Sequence, residues 1–288
     1  MINLGHIWRS LSRDVLLCFG VLVLFIIVTS IIVLPYFYTV PFDRIDLTQA
    51  NLPPSGFHLF GTNDLGQDQL ARILIGGRIS LTVAIASVTV AMVVGTLVGA
   101  IAGFYGGVVD LLLMRVVDLF LSLPQLPLLL LTVYLFRDKL RAIAGPNLGI
   151  FILVVIVIGG LNWMSVARLV RADFLKLKER EFIQGAIAMG ASQPAIIWRH
   201  LLPNVLGVIL VASTLGMGNG IIIESTLSFL GLGFPPDLPT WGRMLFEAQN
   251  YLTSYPHLAI FPGLAIFLTV LSINAIGNGL RDLFDPKK

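Results

Sequence analysis

The stretch Ile79-Ser-Leu-Thr-Val-Ala-Ile-Ala-Ser-Val-Thr-Val-Ala-Met-Val-Val-Gly-Thr-Leu-Val-Gly-Ala-Ile-Ala-Gly103 contains no Asp, Glu, Lys or Arg. About 20 apolar residues in a helix cross the hydrocarbon core of a bilayer, and a charge at mid-depth costs roughly 3 kcal/mol even on the mildest scale. Such a tract reads as a membrane span. Comparable neutral tracts run from Val15 to Pro41, Leu119 to Phe136, Ala142 to Ala167, Leu201 to Ile223 and Ala248 to Leu280. Trimmed to about 20 residues of core each, they predict helices at about 15–35, 79–103, 111–135, 149–168, 205–228 and 258–279. The expected fold is an all-α polytopic membrane helix bundle with six transmembrane helices. It divides into residues 1–75 (N-terminal segment, anchor helix and first outer loop), 76–281 (membrane domain) and 282–288 (tail).

Composition agrees. Of the 288 residues, 56% are hydrophobic and 12% charged, with mean hydropathy +0.90. Soluble domains carry about a quarter charged residues, and disordered chains need still more, so both classes are excluded. The net charge of +3 is scattered rather than gathered on a basic face, which argues against nucleic acid as a partner. Cys18 is the single cysteine, so no intrachain disulfide can form. Its apolar tract suggests a packing role. That tract is too long for the h-region of a cleaved signal and is expected to remain as an anchor.

Six crossings place both termini on one side. With the N-terminus inside, the inner segments hold Arg9, Arg13, Arg115, Arg168, Arg171, Lys176, Lys178, Arg180, Arg199, Arg281, Lys287 and Lys288. The longer outer segments hold only Arg44, Arg72, Arg78, Arg137, Lys139, Arg141 and Arg243. The excess on the inner side predicts cytoplasmic termini in a bacterial-type inner membrane. Trp8, Tyr105, Trp163 and Trp198 fall near inner ends, and Tyr36, Tyr38, Tyr134, Trp241, Tyr251 and Tyr255 near outer ones, as interfacial aromatic belts would.

The inner connection, about residues 169–204, reads as helix, turn, helix. Lys178 to Met189 is interrupted only by Gly185, Gly190 suits a left-handed C-terminal cap, Ser192 can cap a second helix and Pro194 fits its first turn. Gly185, Ala186 and Ala188 beside Phe182, Ile183, Ile187 and Met189 suit a helix docked in a partner's groove. They equally suit one lying on the inner leaflet.

Glu181-Phe-Ile-Gln-Gly-Ala-Ile-Ala-Met-Gly190-Ala-Ser, followed by Arg199-His-Leu-Leu-Pro203-Asn204, resembles the cytoplasmic loop of binding-protein-dependent ABC importer permeases. That loop is written Glu-Ala-Ala, three residues, Gly, nine residues, Ile, any, Leu-Pro. Gln184, Gly185 and Ala186 occupy the Glu-Ala-Ala positions, Gly190 matches, His200 stands where Ile is usual, and Leu202 and Pro203 match. Gln184 keeps length and hydrogen bonding but loses the charge. Phe60-Gly-Thr-Asn-Asp64-Leu-Gly-Gln-Asp68 with Gly76-Gly-Arg78-Ile-Ser80 is similar to the segment before the second helix of dipeptide, oligopeptide and nickel importer permeases. Glu224-Ser-Thr-Leu-Ser-Phe-Leu-Gly-Leu-Gly233-Phe-Pro-Pro with Pro239-Thr-Trp241-Gly resembles their fifth helix and outer loop. Together with Gly277-Asn-Gly-Leu-Arg281, these motifs cover nearly the whole chain and point to the C-type subunit of a type I importer.

The resemblance implies the machinery around the chain: a second homologous permease subunit, two cytoplasmic ATPase subunits that bind ATP and Mg, an extracytoplasmic solute-binding protein and surrounding membrane lipid. No Gly-Lys-Ser/Thr P-loop is present, so this chain is expected to carry no cofactor and no ATPase activity of its own. Glu181, Phe182, Gln184, Gly185, Ala186, Gly190, Leu202 and Pro203 would form the ATPase-coupling loop, in which Glu181 to Met189 converts ATPase closure into helix rotation.

Other residues carry weaker signals. Glu224, near the outer end of a span, either lines an outer gate or binds a substrate amine, or pairs with a backbone amide or the partner permease and merely fixes the outer loop; the last is favoured. Trp241 is a further candidate for a gate or outer-loop contact. Arg115 and Asp118, three apart, can pair. Pro124 and Pro127 are expected to kink the third span. Asp64, Asp68 and Arg72, four apart, suggest a charged helical stripe. Gly99, Gly103, Gly106 and Gly107 suit close helix packing. His6, His58, His200 and His257 lie in separate segments, so no metal site and no catalytic residue is expected. A secondary transporter would need coupling carboxylates at mid-span, and an intramembrane enzyme a nucleophile with a buried His; the sequence supplies neither. It does not name the solute.

Overall fold

The computed structural model describes residues 14–284, which are helices and connecting loops with no β-strand among the described residues. His6, Trp8, Arg9, Arg13, Lys287 and Lys288 lie outside them. In chain order the helices are α1 (Val15–Phe37), α2 (Gln69–Tyr105), α3 (Gly107–Ser122), α4 (Gln125–Ala144), α5 (Pro146–Lys178), α6 (Glu181–Ala188), α7 (Leu202–Phe229), α8 (Trp241–Ala248) and α9 (His257–Phe284). A short helical turn, Gln193–Ala195, and a π-turn, Ile196–Leu201, lead into α7. Helices α1, α2, α5, α7 and α9 are each long and apolar enough to cross a bilayer.

The predicted third span is not one kinked helix. It is α3 and α4, set 89° apart. Leu123 is extended at ψ 142, because the ring of Pro124 excludes the α conformation from the residue before it. Proline therefore breaks the helix, and Pro127 sits harmlessly in the first turn of its second half. α3 leaves from the end where α2 stops and α4 delivers the chain to the start of α5, so the bent pair together makes the sixth traverse.

That traverse makes α2 and α5 parallel neighbours, and they form the spine of the bundle. A Cβ on Gly95 would fall 2.6 Å from the Trp163 carbonyl oxygen, one on Gly99 2.5 Å from that of Ala167, and one on Gly103 2.9 Å from that of Arg171. From the other side, a Cβ on Gly159 would fall 2.7 Å from the Ser87 carbonyl oxygen. The two backbones touch along a seam that only glycine permits. The expected packing role thus holds for Gly99 and Gly103. Gly106 and Gly107 instead form the turn between α2 and α3, with φ of 67° and 53° and open space around both.

Helices α5 and α2 also overrun the expected spans. α2 begins at Gln69 rather than near residue 79, because Asp68 caps it by accepting from Ala71 N at 2.8 Å. Its extra turns hold Arg72 and Arg78, charges expected from the sequence to lie in the preceding loop. α5 continues to Lys178, whose Nζ donates to the Phe104 carbonyl at 2.6 Å at the end of α2. Leu17 of α1 packs at Gly279 of α9, and Phe284 packs at Gly207 near the start of α7. Both ends of the described chain therefore lie at the same end of the bundle as α6.

Several local expectations change. Cys18 faces outward rather than into the packing. Asp118 pairs with Arg168, and Asp110 takes a two-pronged contact from Arg171, so α3 is tied to α5 and the Arg115–Asp118 pair does not form. The supposed stripe of Asp64, Asp68 and Arg72 is no helix face: Asp64 sits in a turn and accepts from the Tyr251 hydroxyl at 3.4 Å, Asp68 is the cap, and Arg72 is buried in the first turn of α2.

Candidate functional site

At the end of the bundle that carries both chain ends, α5 and α7 are joined by an elbow. α6 is one short helix closed by a Schellman motif: Gly190 N–H donates to the Ile187 carbonyl at 2.9 Å and Ala191 N–H to that of Ala186 at 3.0 Å, with Gly190 at φ 82°. The left-handed cap expected at Gly190 is there. Ser192 stands at the N-cap position of the next turn but makes no side-chain cap bond.

α6 has two faces. Ile183 is buried with Val170 and Phe174 of α5, Leu201 of the π-turn and Val205 of α7, and Ala186 is buried as well. Burying one isoleucine is worth about 1.5–3 kcal/mol, which fastens the elbow to the helices it joins. Phe182, Ile187 and Met189 are exposed on the other side, Met189 at 85%. Gln184 turns back and donates to the Lys178 carbonyl at 2.9 Å, satisfying an orphan group at the end of α5. A Cβ on Gly185 would meet nothing within 4 Å. Leu202 and Pro203 form the first turn of α7, where the missing proline N–H is no loss.

The opposite end is sealed around Glu224. Its carboxyl is fully buried and accepts from Ser80 of α2 at 3.0 Å and Ser228 of α7 at 2.8 Å. Thr240 donates to Ser228 at 3.3 Å and caps α8. Trp241 is 1% exposed, so it is no interfacial belt residue; its indole N–H donates to the Ile73 carbonyl at 3.0 Å and its backbone N–H to Ser80 at 3.3 Å. Beside this knot Glu247 of α8 bridges Arg72, at 2.7 Å, and Arg243, at 3.0 Å. Side-chain hydroxyls hold Glu224, and the whole constellation locks α8 onto α2 and α7.

The loop before α2 is organised around Asp68. Besides capping α2, Asp68 accepts from the Tyr38 hydroxyl at 2.8 Å and lies 2.8 Å from His58 Nδ1, whose other ring nitrogen is 2.9 Å from Gln49 Oε1. Burial and the Asp68 carboxylate hold the Tyr38 phenol above the ordinary tyrosine range. No group of three or more His, Cys, Asp or Glu that could hold a metal exists among the described residues.

Between the two ends, α2, α5 and α7 enclose an open-sided cavity of about 280 Å³. Asn162 Oδ1 stands at its side, and both Gln125, at 3.5 Å, and Asn219, at 3.3 Å, reach toward it. Sequence reasoning missed these amides because it searched the spans only for charge. The signal was present: an asparagine inside a neutral tract is itself expensive in lipid.

Residues 95–288 match the family described as binding-protein-dependent transport system inner membrane component. The chain is 38% identical over 281 residues to an oligopeptide transport system permease protein of Haemophilus influenzae, covering 97% of this chain and 87% of that one. It is 42% identical over 253 residues to a glutathione transport system permease protein of Pectobacterium atrosepticum, covering 87% and 80%. To a dipeptide transport system permease protein of Alkalihalophilus pseudofirmus it is 36% identical over 280 residues, covering 97% and 88%. With four motifs in order along a six-traverse bundle, the chain belongs to the inner-membrane permease family of binding-protein-dependent ABC importers.

Proposed function

We propose that this chain is one of two permease subunits of an ATP-driven peptide importer, forming half of the translocation path and working by alternating access. The two-faced α6 carries this reading: one face, with Ala186 buried, is rooted in α5 and α7 through Ile183, and the other offers Phe182, Ile187 and Met189. Glu181, Phe182, Gln184, Gly185, Ala186, Gly190, Leu202 and Pro203 act as the coupling loop, and two cytoplasmic ATPase subunits, which bind ATP and Mg, supply the drive. This chain binds neither. The excess of Lys and Arg toward the α6 end supports cytoplasmic termini, with residues 1–75, 76–281 and 282–288 as entry segment, membrane domain and tail. The opposite end then faces the solute-binding protein. There Glu224 and Trp241 act as outer-loop anchors that hold α8 in place rather than as ligands for a substrate amine. The peptide, oligopeptide or glutathione systems of the relatives support peptides as the solute class.

The test is uptake by proteoliposomes that hold this chain, its second permease and the ATPases. Labelled peptide should enter only with binding protein outside and ATP on the α6 side. Uptake by this chain alone, driven by an ion gradient, would refute the reading and favour a secondary transporter.

A further inference from the structure

The cavity between α2, α5 and α7 is lined by Ser87, Asn162, Ser165 and Asn219 among apolar residues, with no acidic, basic or histidine side chain. Asn162 is near the midpoint of the 33-residue α5, and Ser87 near that of the 37-residue α2, so Trp163, which packs at Gly95, is not the inner-interface residue expected from the sequence. A second, smaller cavity of about 120 Å³ meets Asn162 and Ser165 from the other side, where Leu123 and Gln125 mark the break between α3 and α4. Three side-chain amides, from α4, α5 and α7, thus form a row at mid-depth, on the side of the bundle that this chain leaves open.

Two observations say that the row has work beyond holding helices together. Gln125 and Asn219 are exposed, and among the described residues their side chains bond only to Asn162 Oδ1, at long distance. Polar groups at that depth cannot face lipid cheaply. The Ser87 hydroxyl is 1% exposed, lines the same cavity and has no hydrogen-bond partner among the described residues. A fixed helical scaffold that needed only packing would have no use for these groups there, since each costs desolvation unless something meets it.

A side-chain amide offers one acceptor and two donors, the complement of a backbone peptide group. It reads that group without regard to the side chains or charge of the solute. An ionised residue in a poorly screened cavity would hold one sign of charge and reject the other. We propose that Asn162, Asn219 and Gln125, with Ser87, form a mid-membrane subsite for the backbone amide groups of the passing peptide. The proposal rests on the peptide-importer reading and adds that the path recognises the main chain.

The test is a cycle across protein and solute in the reconstituted complex with its binding protein. Import of a tripeptide and of the same tripeptide N-methylated at its backbone amides is measured in wild type and in the N162L/N219L variant. The binding protein's own preference is common to both complexes and cancels. Wild type should disfavour the methylated peptide about fivefold to tenfold more than the variant does, the loss expected for one hydrogen bond in a dry site. The N162S and N219S single variants, which keep a hydrogen-bonding group, should fall between, and they stand in if the double variant does not assemble. An equal ratio in all complexes overturns the subsite. So does loss of the second permease on purification of the serine variants, which would make the row an intersubunit contact. Failure of wild type to import either peptide would instead overturn the importer reading itself.

Discussion

Gly190 offers the cleanest perturbation in the molecule. A Cβ there would touch nothing within 4 Å, so substitution costs only what the left-handed backbone at φ 82° imposes. For an ordinary L-residue that is about 1–2 kcal/mol, roughly a fivefold to thirtyfold fall in the population of the Schellman turn. Gly190→Ala should show this loss, Gly190→Val more because of β-branching, and Gly190→Asn least because asparagine tolerates the conformation. Gly185 is the control five residues away: it is helical, its Cβ would also find open space, and Gly185→Ala should firm α6 by up to about 1 kcal/mol. The assay is peptide imported per ATP hydrolysed in proteoliposomes, with hydrogen exchange of the α6 amides as the local readout. Coupling should fall in the order Asn, Ala, Val at position 190, while Gly185→Ala, read by exchange alone because Gly185 lies in the coupling loop, should slow exchange of the α6 amides. If Gly190→Val coupled as wild type while its α6 amides exchanged faster, the turn would not transmit the drive, and the coupling assignment would fail.

Two further outcomes follow from the packing and the outer loop. Gly99→Ala should lower the thermal stability of the detergent-solubilised protein, because a Cβ 2.5 Å from the Ala167 carbonyl oxygen costs about 1–3 kcal/mol in overpacking against roughly 1 kcal/mol of helix propensity gained; a raised Tm would show that the seam can open freely. The Tyr38 phenol, held up by burial and Asp68, stays protonated past the ordinary value near pH 10. Because the folded value is the higher one, its contribution to stability is complete below about pH 10 and is lost as pH climbs toward that value. The phenolate absorbance of wild type minus that of Tyr38→Phe should move to lower pH in an Asp68→Asn background, and an unmoved titration would remove Asp68 as a cause.

Charge-free length sufficed to place α1, α7 and α9, because lipid penalises charge so steeply that a span must announce itself. The same rule misplaced the start of α2, where Arg72 is buried against Glu247 from α8. A protein partner distant in sequence can neutralise a charge, and no local pattern reveals it. Pro124 was visible as a disturbance, but whether a proline bends or breaks a helix depends on what packs behind it, here α5. In the site, the turn at Gly190 was legible because glycine in that context has one conformational reason to be present. The knot around Glu224 was half legible: Glu224 and Trp241 stood out, while Ser80, Ser228 and Thr240, common residues without a pattern, could be recognised only once they converged. The amide row was illegible to a search for ionisable groups, since asparagine and glutamine carry no charge.

The glycine seam has a mechanical consequence. With α2 and α5 in backbone contact, and Lys178 clasping the end of α2 at Phe104, the pair behaves as one stiff beam. At 1.5 Å per residue α5 is about 50 Å long, so a tilt of about 5° around its middle would swing each end by roughly 2 Å in opposite directions. The lower end carries the elbow; the upper end carries Arg72 and the floor beneath Trp241. A push on one is therefore a pull on the other, as on a seesaw. Asn162 sits at the fulcrum, with Asn219 of α7 facing it at 3.3 Å, where a cargo would see one side close and the other open while hardly being moved itself.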